Sequence, residues 1–264
     1  MIKRIICFRK YIVMPRENKS GFTLVELLTV IAIASLLAVL SVPALQSLNQ
    51  AGGFDKSTYA LADALNLARS YAMANNTYVY VGLTEVDRTQ STLASPQNPG
   101  VGRVVLSIVA TTDGASDTGS WSNTGANLTQ VRQPLLFDFF HIASYTTRFI
   151  TGTGTMKLPS NITTSSVTAL PMPASTAPAT SFSLPLGSTS GSGKYNFSNT
   201  NTDIICFNPQ GEVLLNGASI PWLEIDVQPM IGNVKPTKPA SVNKGNQAAL
   251  FIDGVTGSIN VYRP

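Results

Sequence analysis

The chain has 264 residues, 44% of them apolar, 12% charged and 8% aromatic, which suits one globular core of ordinary size plus an unusually apolar element and excludes a disordered chain. The net charge of +4 is unevenly placed: six of the eighteen Lys and Arg (Lys3, Arg4, Arg9, Lys10, Arg16, Lys19) lie in the first 21 residues beside one acid, Glu17. The remainder has more acids than bases and makes no general electrostatic case for nucleic acid, while one His (His141) and two Cys (Cys7, Cys206) leave too few ligands for a zinc or iron site.

Residues 1–21 read as a basic leader. Residues 22–48 follow as an apolar helix, in which Phe22 to Leu45 form an almost continuous run, FTLVELLTVIAIASLLAVLSVPAL. At about 1.5 Å per residue such a helix spans the roughly 30 Å hydrocarbon core of a bilayer. Basic residues before the run and none just after it predict a cytoplasmic N-terminus and an exported C-terminal part. A secretory signal peptide, cut near Ala44, and a plain signal anchor are the competing readings. Neither accounts for Glu26, a carboxylate inside the run whose placement in lipid costs about 2.5–3.5 kcal/mol on insertion scales.

The residues Lys19-Ser20-Gly21-Phe22-Thr23-Leu24-Val25-Glu26 resemble the cleavage motif of type IV pilins and type II secretion pseudopilins. The resemblance implies that prepilin peptidase cuts between Gly21 and Phe22 and that the new N-terminus, Phe22, is methylated. It implies that Glu26 pairs with the amine of a neighbouring subunit, and that Pro43 stands where these families place a helix kink. Other pilin or pseudopilin subunits and the inner membrane are the implied partners. Glycine suits the cut because it offers the protease no side chain to exclude. Initiation at Met14 would shorten the leader to MPRENKSG; either start removes Cys7, leaving Cys206 as a lone cysteine expected in a buried strand.

Residues 49–76 are predicted to continue the helix beyond Gly52-Gly53. Leu61, Ala64, Leu65, Ala68 and Ala72 recur at helical spacing and make one apolar stripe, with Asp63, Asn66, Arg69 and Ser70 away from it. Arg69 is expected in a surface or sheet-edge ion pair, and Asn75-Asn76 at the helix stop. The phrase Leu67-Ala68-Arg69-Ser70-Tyr71-Ala72, leading into a strand, is similar to the GspH/FimT subset of pilin-like proteins.

Residues 77–264 are predicted to be a β-rich head. Strands are expected at 77–86, Val101–Ala110, Leu135–Ile142, Asp203–Phe207, Glu212–Leu215, Trp222–Val227, Leu250–Asp253 and Ser258–Tyr262. Hairpin turns are expected at Asn208–Gly211 and Gly254–Gly257, which implies antiparallel pairing. The Ser/Thr/Pro/Ala-rich stretch 160–200 reads as a low-complexity excursion from the sheet, too broken for a continuous core element. A loop carrying Lys235, Lys238 and Lys244 without an acid suits phosphate contacts in a second reading, a DNA- or surface-ligand-binding subunit, though no aromatic interleaves to stack bases. His141 among apolar neighbours reads as a hydrogen-bonded strand residue, and Glu224 with Asp226 as two carboxylates on one strand face, one ligand short of a cation site. No phosphate loop, dinucleotide fingerprint, HExxH or GxSxG occurs. The expectation is an α+β, pilin-like structural subunit with no catalytic residues, metal or cofactor: a long N-terminal helix packed on an antiparallel sheet.

Overall fold

The computed structural model describes residues 23–115, 127–142, 167–170, 181–188, 192–198, 203–215, 217–230 and 247–263, with the side chains of residues 40–52, 169, 181, 198 and 203 excepted. The architecture is α+β. Helix α1 runs Leu24–Asn75, and the chain divides into two units, Met1–Gln46 and Ser47–Pro264. In the first unit α1 is the one described element.

In the second unit α1 delivers the predicted stripe. Leu61, Ala64, Leu65, Ala68 and Ala72 are all fully buried, whereas Asp63, Asn66 and Ser70 are exposed. The helix stops where an Asn pair allows it: Asn76 adopts φ +48°, and Thr77 N–H donates to the Ala72 carbonyl at 3.1 Å. This is the six-to-one bond of a Schellman cap, with Asn in the left-handed position that glycine usually takes. Thr77 Oγ1 then donates to the Thr111 carbonyl at 2.7 Å, tying the helix end to the sheet.

The first sheet has the strand order β10-β9-β8-β1-β2-β3. Its strands are β1 (Val79–Asp87), β2 (Gly102–Thr111), β3 (Leu128–Asp138), β8 (Asp203–Phe207), β9 (Val213–Leu215) and β10 (Ala218–Ser219), all antiparallel. The second sheet is ordered β13-β12-β11-β4, from β4 (Phe140–Ile142), β11 (Trp222–Pro229), β12 (Ala248–Asp253) and β13 (Ile259–Tyr262), with β5 (Val167–Leu170) also on β11. The expected antiparallel head is present but divided among sheets, and the β11–β5 pair alone is parallel among the described residues, which makes the second sheet mixed. The helix stripe, the inner face of the first sheet (Val81, Leu106, Ile205, Phe207) and that of the second (Leu223, Ile225, Leu250, Ile252) share one core. Each fully buried aliphatic side chain there contributes about 1.5–3 kcal/mol relative to exposure.

The stretch 160–200 is not merely an excursion. Besides β5, it supplies β6 (Ser181–Leu184) and β7 (Tyr195–Ser198), an antiparallel pair. Phe182 and Phe197 stack with centroids 4.7 Å apart and, with Leu184 and Tyr195, cover the outer face of the first sheet at Tyr80, Val105, Val109, Ile204 and Cys206. Gly82 makes room: a Cβ there would stand 2.7 Å from both Phe rings. Covering both faces explains why all ten residues of β2 are buried, Arg103 and Ser107 included.

The predicted strand Leu135–Ile142 is split. Phe139, at φ +59°, separates β3 in the first sheet from β4 in the second. Its N–H donates to Gly102 O at 2.8 Å and its carbonyl accepts from Met230 N at 2.8 Å, so this one residue bonds to both sheets. The Arg88 guanidinium lies 3.5 Å from the Phe139 ring centroid and covers the corner.

Candidate functional site

The N-terminal segment begins with a capping box. Thr23 precedes the first helical residue, Leu24, and Glu26 stands three residues on. Thr23 N–H donates to Glu26 Oε2 at 3.0 Å, Thr23 Oγ1 donates to the same oxygen at 2.8 Å, and Glu26 N–H donates to Thr23 Oγ1 at 3.2 Å. The exchange satisfies two of the amides that a helix start leaves without partners. Farther along, Thr29 Oγ1 donates to the Glu26 carbonyl at 2.9 Å and Ser35 Oγ to the Ile31 carbonyl at 2.6 Å, so these hydroxyls are paired within the helix.

Around this box the surface is apolar on every side. Leu24, Val25, Leu27, Leu28, Val30, Ile31, Ile33, Leu36, Leu37 and Val39 are all exposed, from 56% at Leu27 to 77% at Leu24. Helices that are apolar all round are buried in a membrane or in a larger core. Among the described residues no helix is long and apolar enough to cross a membrane; the described side chains of the run, Leu24–Val39, fall short of the roughly 20 residues a crossing takes. Gly21 and Phe22 lie outside the described residues, as does the side chain of Pro43, through which α1 continues.

The other singled-out residues are dispersed through the second unit. His141 is buried in β4, and its Nδ1 lies 2.8 and 3.0 Å from the Glu85 carboxylate oxygens; Gly102 N–H donates to Glu85 Oε1 at 2.8 Å. The histidine therefore holds β1 of one sheet to β4 of the other, as a hydrogen-bonded strand residue does. Cys206 is buried in β8, where burial pushes its thiol pKa up to about 12, a hydrogen bond with Tyr80 acting in the opposite direction. Such a thiol is unreactive. Glu224 and Asp226 are both buried on one face of β11, and among the described residues no group of three His, Cys, Asp or Glu is placed to hold a metal ion.

Arg69 departs from the expected surface ion pair. It is half-buried beneath the β8–β9 and β12–β13 turns, its Nε buried without a hydrogen-bond partner among the described residues. A Cβ on Gly257, at φ +66°, would stand 2.8 Å from its Cδ and Nε. The arginine is an aliphatic prop under two turns, a use of its stem as well as its charge. Lys235, Lys238 and Lys244 lie outside the described residues.

Sequence reasoning missed Thr23 as the partner of Glu26, although the Thr-x-x-Glu spacing before an apolar run is the recognised signal for a capping box. The structure thus brings together one small constellation, Thr23 and Glu26, at the head of an exposed apolar helix.

The family model described as the prokaryotic N-terminal methylation motif matches residues 16–42. That span holds Gly21, Phe22, the capping box and most of the apolar run. The match supports a type IV pilin-like protein in a membrane-anchored or envelope location, a class processed by prepilin peptidase and assembled with other pilin subunits. No curated protein and no solved structure matches the chain.

Proposed function

We propose that the chain is a structural, non-enzymatic subunit of the minor pilin or pseudopilin kind, of the GspH/FimT subset. It is made as a precursor that prepilin peptidase cuts after Gly21 and methylates at Phe22. Before assembly it sits in the inner membrane with its N-terminus in the cytoplasm and its head in the periplasm. It then joins a type IV pilus or a type II secretion pseudopilus, where the apolar helices of many subunits bundle and Glu26 meets the Phe22 amine of a neighbour. Opposite charges attract far more strongly in such low-dielectric surroundings than in water, and either charge alone is penalised there.

The observation that carries this reading is the exposure of Leu24–Val39 on all sides around one carboxylate. A surface of this kind far exceeds what soluble proteins leave uncovered, so it needs lipid or other subunits to complete it. Mass spectrometry of the mature chain, from cells with and without prepilin peptidase, tests the proposal. A methylated Phe22 N-terminus that depends on the peptidase is the expected result; an intact Met start or a cut near Ala44 overturns it.

A further inference from the structure

We propose that Arg69 is a docking site for a carboxylate of a neighbouring protein subunit, received by its two terminal nitrogens at the end of the head where α1 stops. The inference rests on the assembly reading above for the identity of the partner and adds a contact made by the head. α1 presents Arg69 four residues before Met73, so both side chains leave the helix on one side. The turns Asn208–Gly211 and Gly254–Gly257 close over them. A Cβ on Gly211, at φ +84°, would stand 3.2 Å from Arg69 Nε and 2.9 Å from Met73 Sδ, and one on Gly257 would stand 2.8 Å from Arg69 Cδ and Nε. Nε is therefore held between two glycines and buried without a partner, and no hydrogen bond or ion pair engages Nη1 or Nη2 among the described residues.

The acids of the same two turns are engaged elsewhere. Glu212 Oε2 accepts from Asn208 Nδ2 at 2.7 Å, and Asp253 Oδ1 accepts from the Val255 and Thr256 amides at 2.9 and 3.2 Å. A half-buried guanidinium left unpaired beside two carboxylates is the unusual feature, since charges taken out of water are ordinarily paired. The fork that remains, Nη1 with Nη2, matches a planar carboxylate through two parallel hydrogen bonds. Met73, 41% exposed, and Val255 at the tip of the second turn, 66% exposed, supply the apolar rim that excludes water once a partner is seated. Glu212 and Asp253 add negative charge nearby, which tolerates one carboxylate and repels a phosphate chain. Because the two turns already fix the arginine, docking orders little that was free.

The test uses cells producing the full chain as wild type, Arg69→Met and Arg69→Lys, with sheared filaments and membranes quantified by mass spectrometry. Methionine keeps an aliphatic stem under the turns and removes the charge. Lysine keeps the charge, loses the fork and supplies an amine that a water-soluble carbodiimide couples to a touching carboxylate, forming an amide and releasing the urea. Incorporation of Arg69→Met is expected to fall about tenfold, with its denaturant unfolding midpoint in detergent at the wild-type value. Carbodiimide-treated filaments of Arg69→Lys are expected to carry an amide between position 69 and an Asp or Glu of another subunit. Normal incorporation of Arg69→Met overturns the proposal, as does coupling only to Glu212 or Asp253 of the same chain. A loss of incorporation matched by a lower unfolding midpoint, with no intersubunit amide, also overturns it, since the arginine would then be a prop alone. Binding of labelled duplex DNA by the purified chain that is lost in Arg69→Met would assign the fork to phosphate and overturn it as well. Absence of the wild-type chain from filaments instead removes the assembly reading itself.

Discussion

Two stretches of the same helix use apolar residues in opposite ways. Around Leu61–Ala72 the stripe of Leu61, Ala64, Leu65, Ala68 and Ala72 is buried in the head, and the polar residues Asp63, Asn66 and Ser70 between them stay exposed. Across Leu24–Val39 there is no stripe and no burial: leucine, isoleucine and valine occupy all sides and stay exposed. The first pattern is completed by the chain's own sheets. The second is incomplete by construction, and an apolar surface without a partner in its own chain is a statement about assembly. Substitutions in the two stretches should therefore separate stability of the head from incorporation into a filament.

The largest effects are expected in the head. Phe182→Ala removes one ring of the stacked pair over Gly82 and should lower the unfolding free energy by about 3–5 kcal/mol, with Leu65→Ala on the helix stripe close behind at about 2–5 kcal/mol. Denaturant unfolding of the purified chain in detergent, followed by circular dichroism, measures both. A loss under about 1 kcal/mol for either would mean that these contacts are not core contacts.

A smaller effect concerns pH. The Cys206 thiol is raised to about 12 in the folded chain against an ordinary 9.0, so the folded state keeps a proton that the unfolded state releases. That contribution is fully present below the unfolded value and is lost as pH rises toward the folded one, at about 1 kcal/mol between about pH 9 and 10. Thiol alkylation at about pH 9 should accordingly track global unfolding; rapid alkylation of the folded chain would contradict the burial of β8. The smallest effect on the head is expected from Leu28→Ala, within about 0.5 kcal/mol of wild type, because Leu28 is exposed and lies outside the unit that holds the core. The comparison sharpens if that same variant lowers filament incorporation.

Much of this was legible in the sequence because it rests on local patterns. The helix stripe follows from spacing, Asn75-Asn76 marks the stop, and the Asn208–Gly211 and Gly254–Gly257 turns lie between strands that pair antiparallel. What escaped was set by distant partners. The β6–β7 hairpin lies in a stretch whose Ser, Thr and Pro content suggests no core element, yet Phe182 and Phe197 find the outer face of a sheet formed far away in sequence. Phe139 divides a strand that the local pattern reads as one, because both of its backbone groups are claimed by different sheets. Arg69 falls outside the stripe by spacing but under two turns by topology. At the N-terminus the motif around Gly21 and Glu26 was plain, and only the role of Thr23 awaited geometry.

The most direct test of the central claim, that other subunits complete the Leu24–Val39 surface, is cross-linking at an introduced Leu28→Cys in intact cells. Cys7 leaves with the leader under the proposed processing, and Cys206 is buried and protonated, so the new thiol is the reactive one. The account predicts covalent adducts to other pilin-like subunits that disappear when Gly21 is replaced by a residue the peptidase does not cut after. A chain that stays monomeric, or cross-links equally well uncut, would contradict it.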